Sequence, residues 1–331
     1  MQTAPLFAEI ADAPDGGRAV WLEAEDGVRL RLGYWLPPKA SGTLLLFPGR
    51  TEYVEKYGRA AHEFTRRGFA MAAVDWRGQG LADRLAGDVL SGHVDFFGDY
   101  QRDVRAVIRA AEALDLPKPW YVLGHSMGGC IALRAVHEAL PVAGAMFSAP
   151  MWGIRMAQAL RPLAWSIGWG SRRLRLDHFY APGTQAEPYV LSEPFATNKL
   201  TRDRAMYQYM IDQTRAKPEL GLGGPSLRWL HEALIECRAL MRMAPPELAG
   251  LTVLGTAEDI VDPADIHRLM ARWADAPARG HLALLEGARH EVMMEDPETR
   301  RTVFDMLAAF MHAPDRFDLD TTPDQPSAAT S

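Results

Sequence analysis

The sequence predicts an α/β fold: a mostly parallel sheet covered by helices on both faces, with an antiparallel hairpin at one edge. Three observations predict it. Short, continuously apolar runs alternate with amphipathic helical stretches through most of the chain. An Asp-Gly pair, Asp26-Gly27, separates two β-prone runs near the N-terminus, which is a hairpin signal. One long interval, residues 149–246, breaks the alternation with helical rather than strand periodicity.

The elements follow in order. Residues 19–24 and 28–35 form the hairpin strands, and 43–47 is a buried strand. A helical stretch covers 57–67, and a second buried strand covers 70–74. Val104, Val107, Ile108, Ala111 and Leu114 recur at helical spacing, and Pro117 ends that helix. Residues 120–123 read as a strand, 127–139 as a helix and 142–147 as a strand. After the interval come a strand at 251–254, a helix at 264–273, a strand at 282–285 and a closing helix at 297–311. The organisation is therefore a core in two parts, 1–148 and 247–313, a helical cap inserted at 149–246, and a tail. From residue 314 onward the composition is polar, so 314–331 is expected to be disordered.

Composition narrows the function classes. The 331 residues are 48% hydrophobic and 24% charged, as in an ordinary globular chain, which excludes a collagen, a coiled coil or a disordered protein. Net charge is −6, so nothing argues for a nucleic-acid partner. The two cysteines, Cys130 and Cys237, make neither a disulfide framework nor a zinc cluster, and two spare thiols suit a reducing compartment. The N-terminal residues are acidic before any arginine and lack an apolar core, unlike a signal peptide. No uncharged apolar run reaches ~18 residues. A cytoplasmic location is expected. No metal cluster and no Gly-rich phosphate loop stand out, so no cofactor is expected.

Gly124-His125-Ser126-Met127-Gly128 carries the chemistry. It lies between a strand and a helix, where a sharp turn crowds the backbone and demands glycine on either side of the serine. The turn holds the Ser126 hydroxyl at the carboxyl end of the sheet, over a helix N-terminus. A serine hydroxyl needs a base to take its proton, and this architecture orders nucleophile, acid and histidine along the chain. Four histidines lie late enough. His267 sits within a helix, His281 opens a strand and His312 closes the last helix, whereas His290 follows a strand end in a loop. His290 is the expected base.

The acid should lie just past the strand at 251–254, where Glu258, Asp259 and Asp262 compete. Asp262 is placed to cap the helix after Pro263. Glu258 is the longer side chain, so Asp259 is the expected acid, fixing the histidine tautomer and stabilising its charged form. Two backbone N–H groups should form an oxyanion hole: that of Met127, next to the nucleophile, and that of Arg50, in the loop after strand 43–47.

With these residues the chain resembles the α/β-hydrolase superfamily, and within it the monoacylglycerol lipase and bacterial lysophospholipase group of serine aminopeptidase-like hydrolases. The matching stretches are Leu46 to Tyr53, Asp75-Trp76-Arg77-Gly78-Gln79-Gly80, Gly124 to Gly129, Gly255 to Asp259 and Gly287 to Glu291. Many members carry His-Gly where this chain has Pro48-Gly49, and a histidine where it has Gln79. The resemblance implies ester hydrolysis through an acyl-enzyme on a single-acyl lipid, a lysophospholipid or monoacylglycerol, with the insertion forming a lid.

The insertion's Trp152, Trp165, Trp169 and Trp229, with Met151, Met156, Met206 and Met210, offer adaptable apolar surface, although most would pack the cap's own core. Arg155, Arg161, Arg172, Arg173 and Arg175 could meet an anionic head group or a membrane surface. Two other readings stay open: an aminopeptidase or amidase using carboxylates such as Glu187, Glu193, Glu219, Glu232 and Glu236, and a ligand-binding protein without turnover. The oligomeric state is not encoded in any motif.

Overall fold

The computed structural model describes residues 1–156, 173 and 176–319. Eight strands, β1 (Arg18–Glu23), β2 (Arg29–Trp35), β3 (Thr43–Phe47), β4 (Ala70–Asp75), β5 (Trp120–His125), β6 (Ala145–Ser148), β7 (Gly250–Gly255) and β8 (Gly280–Leu285), form one sheet. Their order is β1-β2-β4-β3-β5-β6-β7-β8. The pairs β1·β2 and β2·β4 are antiparallel, and every pair from β3·β4 to β7·β8 is parallel. The expected α/β class and edge hairpin are therefore present, and the fold is that of the α/β-hydrolases.

Helices among the described residues are α1 (Ala8–Ala11), α2 (Gly58–Arg66), α3 (Tyr100–Ala113), α4 (Met127–His137), α5 (Tyr189–Ser192), α6 (Arg204–Ala216), α7 (Leu227–Leu240), α8 (Pro263–Ala274) and α9 (Pro297–His312). The strand alternation sorts side chains onto two cores. In β3, Leu45 and Phe47 join α3, α4 and α8 through Val107, Ile131 and Trp273. Leu44 and Leu46 join α2 and α9 through Phe64 and Phe304, whose rings meet edge-on at 5.3 Å. Both faces are covered, which is why β3 reads as an unbroken apolar run.

Between β6 and β7 the described residues add helices and no strand to the sheet. Two helices of this insertion dock on the core. Glu236 of α7 pairs with Arg134 of α4, 2.6 Å apart. From α6, the Tyr209 hydroxyl donates to Ala11 O at 2.6 Å, and Gln213 Nε2 donates to Ile10 O at 2.8 Å. Cys130 on α4 and Cys237 on α7 are both free and buried, and burial with the neighbouring Cys237 thiol pushes Cys130 well above the usual thiol range.

Residues 314–317, expected from composition to be disordered, are instead packed on the core. Pro314–Arg316 forms a helical turn, and Phe317 packs against Phe310 and His281 with ring centroids 5.4 and 5.3 Å apart. One aromatic side chain that can reach a core outweighs polar neighbours. Trp165, Trp169, Arg161, Arg172, Arg175 and residues 320–331 lie outside the described residues.

Candidate active site

Loops from β3 and β5 leave in opposite directions around the sheet, and ligand sites in open α/β sheets form at such a reversal, outside the carboxyl ends of the strands. Ser126 stands there, directly after β5, with φ 50° and ψ −118°. A non-glycine residue at positive φ is strained and persists only where its surroundings over-determine it. Here they do. Ser126 N–H donates to Ser148 O at 3.0 Å, and Ser126 O accepts from Gly129 N at 2.9 Å and Met151 N at 2.8 Å. The flanking glycines are forced by close approach. A Cβ on Gly124 would lie 2.6 Å from Gly128 O, and one on Gly128 would lie 1.9 Å from Phe47 O. Met127 opens α4, so its N–H has no carbonyl one turn back within the helix.

His290 is buried in the loop after β8. Its Nδ1 lies 2.7 Å from Glu258 Oε2, not against Asp259. Glu258 is only 4% exposed, and its Oε1 accepts from Ile260 N at 2.6 Å and Val261 N at 3.1 Å. Burial alone would raise its carboxyl pKa. The His290 ring and these two N–H donors outweigh burial and hold it below the ordinary value of 4.5.

The expected acid, Asp259, is turned outward instead. Its carboxylate pairs with Lys199 Nζ at 2.6 Å and Arg155 Nε at 3.1 Å, with the side chain 41% exposed. The reason is register. Thr256 N donates to Leu285 O, Ala257 N to Ala288 O, and Gly287 N to Thr256 Oγ1, so the β7 and β8 loops are zipped together before residue 258. Gly255 permits this approach, since a Cβ there would meet Ala288 O at 2.1 Å. That register aims residue 258 at His290, and the longer glutamate spans the gap. Asp262 caps α8 through Ala264 N at 3.1 Å, as its position predicts.

The loop after β3 is braced by side chains. Trp76 Nε1 donates to Pro48 O at 3.0 Å, and Gln79 Nε2 donates to Gly49 O at 2.8 Å and Glu52 O at 3.0 Å. Gly49 N–H and the Tyr57 hydroxyl both donate to Glu52 Oε2. Glu52 Oε1 in turn shares the Lys56 ammonium with Glu291 Oε1, each 2.5 Å away. All three side chains are buried. Burial disfavours charge on Glu291, but Lys56 and His125 hold it well below 4.5. His125 Nε2 lies 3.5 Å from Glu52 and 3.4 Å from Glu291. Glu52, His125 and Glu291 have a spacing that could hold a metal ion, with ligand atoms within 4.8 Å of one another. The carboxylate oxygens that would ligate it instead accept from Lys56, which makes the cluster an ion-pair network.

Ser126, His290, Arg50 and Met127 line one cavity of about 910 Å³. Such a volume is typical of a site enclosing one small ligand (roughly 300–1,000 Å³). The insertion supplies much of its wall, including Val190, Leu222, Trp229 and Leu230. Of the apolar residues singled out in sequence, Trp229, Met151 and Met210 reach this cavity. Trp152 is fully buried against Phe147, and Met206 packs in a small cluster with Tyr207, Tyr209 and the core residue Met294. Of the arginines, Arg155 is committed to Asp259 and to Glu258 O. Among the five glutamates, Glu187 and Glu193 line the cavity, whereas Glu236 pairs with Arg134 and Glu232 with Arg228.

Sequence reasoning set Glu258 aside and gave no role to Lys56, Glu52, Glu291 or Gln79. Glu52, Gln79 and Glu291 lie inside the stretches that carried the resemblance. The pairing of Lys56 with Glu52, four residues away, is local, but its second partner, Glu291, is 235 residues away and invisible to spacing.

Comparisons with known proteins identify the family. The family model described as "Serine aminopeptidase, S33" matches residues 38–297. Lysophospholipase L2 of Escherichia coli K12 is 28% identical over 277 residues, covering 81% of this chain and 80% of that protein. Phospholipase YtpA of Bacillus subtilis is 25% identical over 284 residues, covering 83% and 97%. Among solved structures, a soluble variant of the monoglyceride lipase of Saccharomyces cerevisiae superposes with a TM-score of 0.69 at 20% identity, covering 88% of this chain and 93% of that one.

Proposed function

The chain belongs to the serine aminopeptidase S33 family and is a carboxylic-ester hydrolase, and from that premise we propose that it cleaves single-acyl lipids, lysophospholipids or monoacylglycerols, through an acyl-enzyme. One observation carries the reading: Ser126, held at φ 50°, shares a largely apolar cavity with a His290 whose other ring nitrogen is fixed by a buried carboxylate.

In this reading His290 Nε2 takes the Ser126 proton as Oγ attacks the ester carbonyl carbon. Glu258 holds the Nδ1–H tautomer and stabilises the charged ring that results. The N–H groups of Met127 and Arg50 receive the oxyanion, each worth about 3 kcal/mol in related chemistry. His290 then protonates the leaving alcohol, and a water activated by the same ring releases the fatty acid. Glu52 supports the second donor by gripping the neighbouring Gly49 N–H. The apolar side chains of the insertion take the acyl chain and act as its lid. The site needs no cofactor for these steps.

Hydrolysis of p-nitrophenyl esters of rising chain length, followed by lysophospholipids and monoacylglycerols, tests the proposal with Ser126→Ala as control. Activity confined to the shortest esters removes the lipid assignment. A second reading rests on Glu187 and Glu193, which could bind the free amine of a peptide in the same cavity. Release of arylamine from aminoacyl-arylamides at rates above those for lipid esters would favour it.

A further inference from the structure

The Arg50 side chain is not used by the steps above, which need only its backbone. It nevertheless turns into the same cavity as Ser126 and His290. Its Nη1 donates to Gly223 O at 2.9 Å, and its guanidinium lies 5.5 Å from the Trp229 ring centroid. The space around it is shaped tightly, since a Cβ at Gly92 would come within 2.8 Å of Nη1. Two other cations line the cavity, and each is neutralised: Lys56 by Glu52 and Glu291, Lys199 by Asp259. Among the described residues no carboxylate lies within ion-pair distance of Arg50.

A guanidinium carries five N–H donors in a planar fork, and a single carbonyl leaves most of that capacity unused. Burial pulls its pKa down to about 10, so it stays charged at neutral pH while lacking a counter-ion. Arg50 is half-buried, and a cation partly removed from water without a paired anion carries a cost that an anionic ligand relieves. The fork matches a phosphate bidentately.

We propose that the Arg50 side chain binds the phosphate of the substrate head group, so that the preferred substrates are lysophospholipids rather than neutral monoacylglycerols. The reach is suitable. About as many bonds separate the ester carbonyl carbon of a 1-acyl glycerophospholipid from phosphorus as separate the Arg50 Cα from its guanidinium carbon. One residue thus contacts both ends of the scissile region, its N–H at the oxyanion and its side chain at the phosphate. The inference rests on the lipid-ester reading above and names the substrate within it.

The test compares kcat/KM for lysophosphatidylglycerol and for a monoacylglycerol of the same acyl chain in wild type, Arg50→Gln and Arg50→Lys. The wild type should favour the phosphate-bearing lipid. Arg50→Gln should lower the ratio of the two values by roughly 10- to 100-fold, mainly through KM for the phospholipid, as expected for lost charged hydrogen bonds. Arg50→Lys should restore part of that ratio, because it keeps the charge and loses the fork. An equal loss on both lipids overturns the proposal and leaves Arg50 as a brace to Gly223. An unchanged ratio overturns it as well. A wild type active on monoacylglycerol alone defeats this inference and spares the lipid reading, whereas inertness towards both lipids defeats the two together.

Discussion

Glu258 meets His290 Nδ1 at 2.7 Å across a span of 32 residues, and its second oxygen is held by two backbone N–H groups. The carboxylate is thus fixed in position before any substrate arrives. Glu258→Gln should lower kcat by roughly 10³-fold or more, because an amide cannot enforce the tautomer or stabilise the charged ring. Asp259→Asn, at an exposed ion pair, should stay within about twofold of wild type. Steady-state kinetics on one ester substrate separates them, and the reverse ranking would return the acid role to Asp259.

Gly128→Ala probes the tight turn rather than the chemistry. Its Cβ would sit 1.9 Å from Phe47 O, a backbone atom of a central strand that cannot rotate away. The variant should be destabilised by about 2 kcal/mol or more, readable as a fall in the thermal midpoint. Ala at Gly87, where nothing lies within 4 Å of the added carbon, should be tolerated.

Lys56 joins two loops, one carrying Gly49 and the other His290. Lys56→Met would leave Glu52 and Glu291 as buried like charges, at a cost of about 3–5 kcal/mol. Adding Glu291→Gln to that variant should recover part of the loss. Chemical denaturation of the single and double variants measures this, and strict additivity of the two substitutions would mean that the groups do not communicate.

The same network sets a pH dependence of stability. Although burial opposes it, Lys56 and His125 depress the Glu291 carboxyl well below 4.5. A depressed folded value contributes stability above the unfolded pKa, and that contribution disappears as pH falls through the folded value. His125 has the opposite sign. Burial would lower it, but Glu291 and Glu52 raise it above 6.5, so its contribution is full below 6.5 and is lost as pH rises through the folded value. Thermal midpoints measured against pH should therefore decline on the acid side of about 4.5. Glu291→Gln should flatten that limb, and an unaltered limb would show that other carboxylates govern acid unfolding.

Local chemistry made much of this legible. The Asp-Gly turn, the buried runs and the Gly-x-Ser-x-Gly turn declare themselves over a few residues, and the strands they imply match β3 residue for residue. His290 could be singled out because its rivals fall inside elements. Glu258 could not. The choice between adjacent carboxylates depends on how the β7 and β8 loops are zipped, and that register is a tertiary fact. Phe317 was hidden for a related reason, since a polar stretch gives no sign that one of its rings has a place in the core.

The N-terminal segment works as a buckle. Pro5 O accepts from buried Arg31, Ile10 O and Ala11 O accept from Gln213 and Tyr209, and α2 begins so close to Ala11 O that only glycine fits at position 58. Those two α6 side chains also reach Glu55 O, a few residues beyond Gly49 and Arg50. Trimming the first dozen residues should loosen α6, whose Met210 and Thr214 line the cavity, although no cavity residue had been changed. The shape of the cavity is thereby coupled to residues that never line it.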